Sequence, residues 1–228
     1  MTRTTPIAVF VALGALLTPR LVCAQAAKLT VTSAKPPAEI AEPIRAVLDE
    51  KVLRIETEDK ATYEFWFRKE LPLAEKPAGG TLGLTTMKEG AILGVARVAG
   101  EHYDFRNEEI KPGVYTVRLG IQPEDGNHLG VAPTRTFALL IAAKQDKKLD
   151  AIDHDALMKA AATINAAKHP SNLNLQPVEK IEGEFPRLEE RNGGEHKVVL
   201  LRLPAVVGDS KEKTTLTFAL VYDGLGTI

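Results

Sequence analysis

The segment QPEDGNHLGV, residues 122–131, contains the side chains of this chain that are best suited to hold a ligand. Asp125 and His128 supply a carboxylate and an imidazole, which bind divalent metals and polar molecules. A transition-metal site needs a further imidazole or carboxylate, and His102 and Asp104 in the tripeptide HYD provide both. Their side chains project to one side if the tripeptide is extended. The pattern indicates a metal site at His102, Asp104, Asp125 and His128, or a polar-ligand site at Asp125 and His128.

The same segment lies between two apolar runs, which favours a structural turn over a binding site. Asp125 and Asn127 have side chains that cap backbone amides in turns, and the neighbouring glycines permit positive φ angles. In a turn, His128 forms only local hydrogen bonds. An EF-hand loop starting at Asp125 is excluded, because Leu129 and Thr136 stand where an oxygen ligand and a bidentate glutamate are required. A turn without a cofactor is therefore the first expectation, and a bound divalent metal is the alternative.

Residues for nucleophilic catalysis are scarce. Cys23 is the only cysteine, and no serine lies in a G-x-S-x-G motif. The run Asp153-His154-Asp155 has metal-ligating residue types, but capping and the helix dipole already explain acidic residues at a helix start. A carboxylate pair for glycoside hydrolysis is defined by its separation in space and not by sequence spacing. The sequence predicts no catalytic residue and leaves a glycosidase as a third alternative.

Trp66 is the only tryptophan and stands in the run TYEFWF, where side chains alternate between the two faces of a strand. It lies on the face opposite Tyr63 and Phe65. Either a helix covers that face, or the indole is an exposed platform for a sugar or a protein partner. Aromatic residues make up 5% of the chain, which argues against a carbohydrate surface built from several rings. We favour coverage of the indole by a helix. If the indole is exposed instead, Trp66 is a ligand-binding candidate.

The N-terminus has the form of a cleaved secretory signal peptide over 1–26. Arg3 precedes an apolar run over 6–17, and Ala24-Gln25-Ala26 forms an A-x-A cleavage pattern. A lipoprotein anchored at Cys23 is the weaker alternative, because the residues before it do not match a lipobox. We therefore expect a periplasmic or extracellular protein whose mature chain, lacking cysteine, forms no disulfide.

Composition and charge narrow the class of partner. The chain carries 29 basic and 30 acidic residues, and they are interspersed, so no basic stripe predicts nucleic-acid binding. After the predicted signal, no apolar run approaches the roughly 18 residues of a membrane span. The expected partner is an unknown protein or a small-molecule ligand.

Apolar alternation with a period of two recurs along the chain and predicts strands. VLRIET and ATYEFWFR form one expected hairpin, HKVVLLRLPAVV and TTLTFALVYDG form a second, and TRTFALLIAA is an expected central strand buried on both sides. The period changes at 153–168, where Asp153 is a natural N-cap and Leu157 belongs to an apolar stripe, so a helix is predicted. A shorter amphipathic helix is predicted in PPAEIAEPIRAVLDEK.

The predicted fold class is mainly β, an antiparallel β-sandwich with one or two helices. The segment LPLAEKPAGGTLGLTT is expected to be a loop, and the interval 169–185 is expected to be rich in loops. The mature chain over 27–228 is expected to form a single sandwich domain. A join between two subdomains near 149–185 is the alternative.

The run KPGVYTVRLGIQPEDGNHLGVAPTRTFALLI, residues 111–141, resembles a segment of uncharacterised secreted proteins of environmental bacteria. The resemblance implies an exported β-rich fold, implies no activity and transfers no site residue. The signal, the strand pattern and the lack of an assembled catalytic motif predict an exported non-catalytic binding or scaffold module of unknown ligand. The alternative is a metal-binding protein or metal-dependent enzyme that uses the 122–131 loop.

Overall fold

The structure is a computed structural model that describes residues 26–77, 83–123, 134–178, 182–208 and 210–226. Its strands are β1 (Lys28–Ser33), β2 (Lys51–Glu56), β3 (Thr62–Phe67), β4 (Leu71–Leu73), β5 (Ile92–Ala99), β6 (His102–Tyr103), β7 (Glu109–Ile110), β8 (Gly113–Ile121), β9 (Thr136–Ala142), β10 (Asn172–Pro177), β11 (Arg187–Arg191), β12 (His196–Val207) and β13 (Glu212–Asp223). Its helices are α1 (Glu42–Arg45) and α2 (His154–Ala161), and 3-10 turns occur at Gly83–Thr86 and Asn192–Gly194.

Eleven strands form one folded sheet in the order β1-β2-β3-β5-β8-β9-β10-β13-β12-β11, with β4 added beside β12. The β4–β12 pair is parallel, and the other pairs of this sheet are antiparallel. Strand β10 is the corner, because Asn172–Asn174 pair with β9 and Leu175–Pro177 pair with β13. Strands β6 and β7 form a separate small hairpin. The prediction of a mainly antiparallel β fold with one or two helices is confirmed.

The main core lies between the two halves of the folded sheet. Phe65 of β3 and Val117 of β8 share one buried apolar cluster with Leu201 of β12 and Phe218 of β13. Removing such side chains from water supplies the dominant stabilising term, about 25 cal/mol per Å² of apolar surface. Strands before and after the interval 149–185 contribute to this one core.

The outer faces of the sheet are covered as well. The segment around α1 covers β2, β3 and β5 through side chains such as Ile44. Helix α2 covers β9 through Leu157, and Phe105 packs on the outer side of β12 and β13. The run TRTFALLIAA therefore forms a strand, β9, that is buried on both sides, as its continuous apolar pattern predicts.

The helix predicted at 153–168 is confirmed in its start and is shorter than predicted. Asp153 is the N-cap, its carboxylate accepts a backbone N–H of the first turn, and Leu157 is fully buried. The helix ends before Thr163, whose hydroxyl and N–H both bind the Ala160 carbonyl at 2.8 and 3.2 Å and close a tighter turn. No helix in the described ranges is long and apolar enough to cross a membrane.

The segment predicted to be a loop and the interval predicted to be rich in loops each contain a strand that the sequence analysis missed. Strand β4 lies in the first, and the corner strand β10 lies within 169–185. Asparagine and proline are depleted in strands, Pro170 lies just before β10 and Pro177 is its last residue, so the local signals of this run are those of a loop. Pairing with both β9 and β13 supplies tertiary hydrogen bonds that override these preferences.

Candidate ligand-binding site

Two of the side chains predicted to bind a ligand or metal, Asp125 and His128, lie outside the described residues. His102 lies in β6 and is buried, with its ring centroid 3.8 Å from that of Tyr63. Neither His102 Nε2 nor Tyr63 Oη has a hydrogen-bond partner within the described chain. Burial lowers the pKa of His102, while backbone hydrogen bonds and the charge of Asp223 oppose that shift. Burial therefore disfavours the charged form of the imidazole, which lies against an aromatic ring.

Asp104 serves a local structural role. One carboxylate oxygen accepts the backbone N–H groups of Arg106 at 2.9 Å and Glu108 at 3.0 Å, and the other lies 3.4 Å from the N–H of Asn172. Burial raises the pKa of Asp104, and these hydrogen bonds oppose the increase. Among the described residues, no group of three histidine, cysteine, aspartate or glutamate side chains is placed to hold a metal. His102 and Asp104 therefore do not form a metal centre with other described side chains.

Trp66 is 2% exposed and is covered by the segment around α1. Its indole N–H donates to the Ala34 carbonyl at 2.8 Å, and the Arg97 guanidinium lies 5.6 Å from the ring centroid. The structure thus shows the covered arrangement of the two that the sequence allowed. Because its ring and its N–H group both contact the protein, Trp66 offers no exposed platform in this fold.

A row of amide side chains on β10 is the most distinctive polar feature of the described chain. Asn172, Asn174 and Gln176, here called the amide row, alternate with Leu173 and Leu175. The two leucines face the main core, so the amides occupy the outer face. All three amides are buried, with exposed fractions of 7%, 0% and 6% in chain order.

Two members of the amide row have unused hydrogen-bonding capacity. The Asn172 side-chain N–H donates to the Pro170 carbonyl at 3.2 Å, and that of Asn174 donates to Thr134 Oγ1 at 3.0 Å. Their Oδ1 atoms have no partner in the described part of the chain. Gln176 differs, because its N–H lies 3.1 Å from His196 Nδ1 and its oxygen accepts from Arg191 at 3.3 Å. The side-chain atoms of the row that lack any partner among the described residues are thus the two Oδ1 atoms.

An aromatic ring lies beside these free oxygens. Phe137 is directly opposite Asn174 in the β9–β10 register, and paired residues project their side chains to the same face. The Phe137 ring is half-buried. It packs against two apolar clusters, one formed by side chains of α2 and β9 and the other containing Phe105. The amide row and Phe137 thus line a seam between two apolar covers.

The sequence analysis missed this seam because it predicted no strand in the loop-rich interval 169–185. The available signal was the run NLNLQP, in which amides and leucines alternate at the strand period. Comparisons of the chain with models of known protein families, with curated proteins and with solved structures found no match. The residues and their geometry therefore carry the functional argument.

Proposed function

We propose that this chain is an exported, non-catalytic binding or scaffold module whose ligand occupies the seam beside the amide row. The observation that carries the proposal is the pair of buried amide oxygens on Asn172 and Asn174 that lack partners among the described residues. A ligand that donates hydrogen bonds to them satisfies both atoms.

Energetics supports a role in binding for these oxygens. A buried acceptor without a partner costs roughly 1–3 kcal/mol of stability. Folded proteins pair the great majority of their buried polar atoms, and exceptions concentrate at functional sites. Two such acceptors on one strand face, at positions 172 and 174, are a cost to folding that a bound ligand offsets.

The proposal is tested by a ligand screen on the mature chain labelled with ¹⁵N. Separate pools of sugars and polyols, amino acids, organic acids and nucleosides are added, and the side-chain NH₂ resonances of Asn172 and Asn174 are followed. We expect one pool to shift these resonances saturably while the backbone resonances of β1 stay unchanged. If no pool perturbs them, the binding role of the seam is wrong.

Export is the second component of the proposal. The A-x-A pattern before Ala27 supports cleavage of a signal peptide at that point. Mass spectrometry of protein exported by a Gram-negative host is expected to give an N-terminus at or near Ala27 without an acyl chain. A diacylglycerol adduct on Cys23 would show lipidation instead.

A metal-binding protein or metal-dependent enzyme is the second candidate, and one observation favours it. His102 Nε2 has no hydrogen-bond partner in the described ranges, and a free imidazole nitrogen is the atom that binds a metal. In this candidate Asp104, Asp125 and His128 supply the other ligands. Melting curves with zinc, copper and nickel on wild type and His128→Ala test it, because a bound metal stabilises the folded state by mass action. An increase of several degrees confined to wild type supports the metal site, and equal shifts in both proteins contradict it.

A further inference from the structure

We propose that two copies of this chain associate through β1, the strand at one end of the folded sheet, to form a symmetric dimer. In the dimer, β1 pairs antiparallel with β1 of the second copy, and the two Thr30 residues lie opposite each other. The sheet then continues from one copy into the next. Three features of β1 support this pairing: an open backbone edge, an exposed apolar side chain and a self-complementary order of residues.

The backbone of β1 has hydrogen-bonding groups that no described residue uses. The Ala34 N–H donates to the Glu50 carbonyl at 2.7 Å, and these two residues directly continue the β1–β2 register. Because the N–H and C=O groups of an antiparallel strand point alternately to its two sides, the even-numbered residues of β1 bond to β2. The backbone groups of Leu29, Val31 and Ser33 therefore point outward, and β1 is the last strand of the described sheet on this side.

An apolar side chain is exposed along the same edge. Val31 is 48% exposed and is paired with Leu53, so it projects to the face that carries the main core. Leu29 projects to that face as well and is partly buried against the core. A strand added beside β1 covers Val31 and extends the core, which is favourable because apolar surface is removed from water.

The order of residues in β1 fits a second copy of the same strand. With the two Thr30 residues opposite each other, Leu29 of each copy faces Val31 of the other, and Lys28 faces Thr32. Each core-facing apolar residue of the strand has an apolar partner, and no lysine faces a lysine. Since the backbone groups of Leu29 and Val31 point outward on both strands, these opposed residues exchange both hydrogen bonds. One surface serves both copies, which is the isologous interface of a two-fold dimer.

The strand at the other end of the sheet, β11, has an edge that discourages pairing. Four of its five residues are charged, namely Arg187, Glu189, Glu190 and Arg191. Paired antiparallel with itself over its full length, β11 places arginine opposite arginine and Glu189 opposite Glu189, which is destabilising. Charged side chains protect natural edge strands in this way, whereas β1 carries only Lys28. Strand β1 is therefore the end of the sheet that accepts a further strand.

The test is analytical ultracentrifugation of the mature chain at concentrations up to about 1 mM, where we expect a reversible monomer–dimer equilibrium. Val31→Lys is expected to weaken the dimer at least about tenfold, because each interface contains this position twice and the added strand then covers a charge. Leu225→Lys is the matched control, because Leu225 is also an exposed apolar residue and lies outside β1. It should dimerise as wild type does.

A disulfide tests the register. The mature chain contains no cysteine, because Cys23 is the only one and precedes Ala27. Thr30→Cys places two cysteines in a non-hydrogen-bonded pair with Cα atoms about 4.5 Å apart, a separation that a disulfide bridges. We expect this variant to form a covalent dimer on mild oxidation. Thr32→Cys is the control, because its two cysteines lie four strand positions apart, about 13 Å, and should crosslink far more slowly.

The outcomes decide the proposal. A chain that stays monomeric up to about 1 mM overturns it. A dimer that Val31→Lys weakens no more than Leu225→Lys does uses another surface and also overturns it. Equal crosslinking of Thr30→Cys and Thr32→Cys contradicts the symmetric register. A dimer that is weakened by Val31→Lys and crosslinked through Thr30→Cys supports the pairing of β1 with β1.

Discussion

Two groups of buried polar side chains lie on the outer face of the folded sheet, and they differ in how completely their hydrogen bonds are formed. Arg118 of β8 is fully buried, and all five of its N–H groups reach acceptors. Two of these bonds join it to Asp146, at 2.6 and 2.8 Å, and the others bind backbone carbonyls. In the amide row, by contrast, two of the three side chains leave their oxygens unused within the described chain.

The difference distinguishes a group that holds the fold together from one that is available to a ligand. Arg118 fixes the stretch after β9 onto the sheet, because it binds the carbonyls of Lys148 and Asp150 as well as the Asp146 carboxylate. Thr116 also donates to Asp146, at 2.5 Å. Each charge there has its partner, so the cluster is complete without any other molecule. The amide row, in contrast, leaves two buried acceptors without a partner among the described residues.

The largest expected effect on stability comes from disrupting the buried cluster of Arg118 and Asp146. Arg118→Met leaves the Asp146 carboxylate buried without its cation, which is expected to lower the free energy of unfolding by about 3–5 kcal/mol. Chemical denaturation measured by circular dichroism checks the value. Arg97→Met is the control, because Arg97 forms an ion pair with Glu64 at a partly exposed site, and it should cost less than about 1 kcal/mol. Equal losses for the two variants would contradict the structural role of Arg118.

A smaller loss is expected at the apolar cover next to the amide row. Leu157 of α2 is fully buried against Leu139 and Ile141 of β9, so Leu157→Ala should cost about 2–4 kcal/mol. Lys159→Ala on the exposed side of the same helix should change stability by less than about 0.5 kcal/mol. Denaturant titration of both variants measures the difference. A loss below about 0.5 kcal/mol for Leu157→Ala would mean that the helix does not dock through this residue.

A pH effect is expected from His102, a buried polar side chain outside both of these groups. Burial lowers its folded-state pKa below the ordinary 6.5, so below pH 6.5 the unfolded chain gains a proton before the folded chain does. The free energy of unfolding therefore falls from pH 6.5 down to the folded pKa, by about 1.4 kcal/mol for each unit of pKa difference. Asp104 acts oppositely at lower pH, because burial raises its pKa above 3.8 and the folded state gains that proton first.

Urea unfolding between pH 7.5 and 5 measures the His102 effect. His102→Gln is expected to flatten the pH dependence, whereas His169→Gln, at an exposed position, is expected to leave it unchanged. An unaltered slope in His102→Gln would show that the imidazole is not held neutral by burial.

The strands and the second helix could be predicted because their signals are local. The runs that form β2, β3, β12 and β13 alternate with a period of two, and Asp153 marks the start of α2 as an N-cap. Burial of Trp66 was the favoured alternative for a different reason, since the residue stands on a strand face that an amphipathic segment can cover.

The seam could not be predicted because it depends on long-range pairing. Nothing local indicates that Asn174 lies opposite Phe137, or that one strand joins both halves of the sheet. The run NLNLQP has loop-forming composition, and only its partners make it a strand. The complete cluster at Arg118 was missed for the same reason, because its acceptors lie about 28 to 32 residues from it in sequence.

The smallest expected change gives the most direct test of the central claim, that the free oxygens of the amide row are not needed for folding. Asn174→Leu keeps the side-chain shape, removes a buried acceptor without a described partner, and also removes the hydrogen bond from the Asn174 side-chain N–H to Thr134 Oγ1. Relief of the unpaired acceptor, about 1–3 kcal/mol, offsets the lost hydrogen bond, about 1 kcal/mol, so we expect the free energy of unfolding to lie within about 0.5 kcal/mol of wild type or above it. Gln176→Met, in the same row, leaves His196 and Arg191 without their amide partner and should cost about 1–3 kcal/mol. Urea unfolding of the two variants side by side is the measurement. A loss in Asn174→Leu as large as that in Gln176→Met would show that the row is structural throughout and would contradict the account.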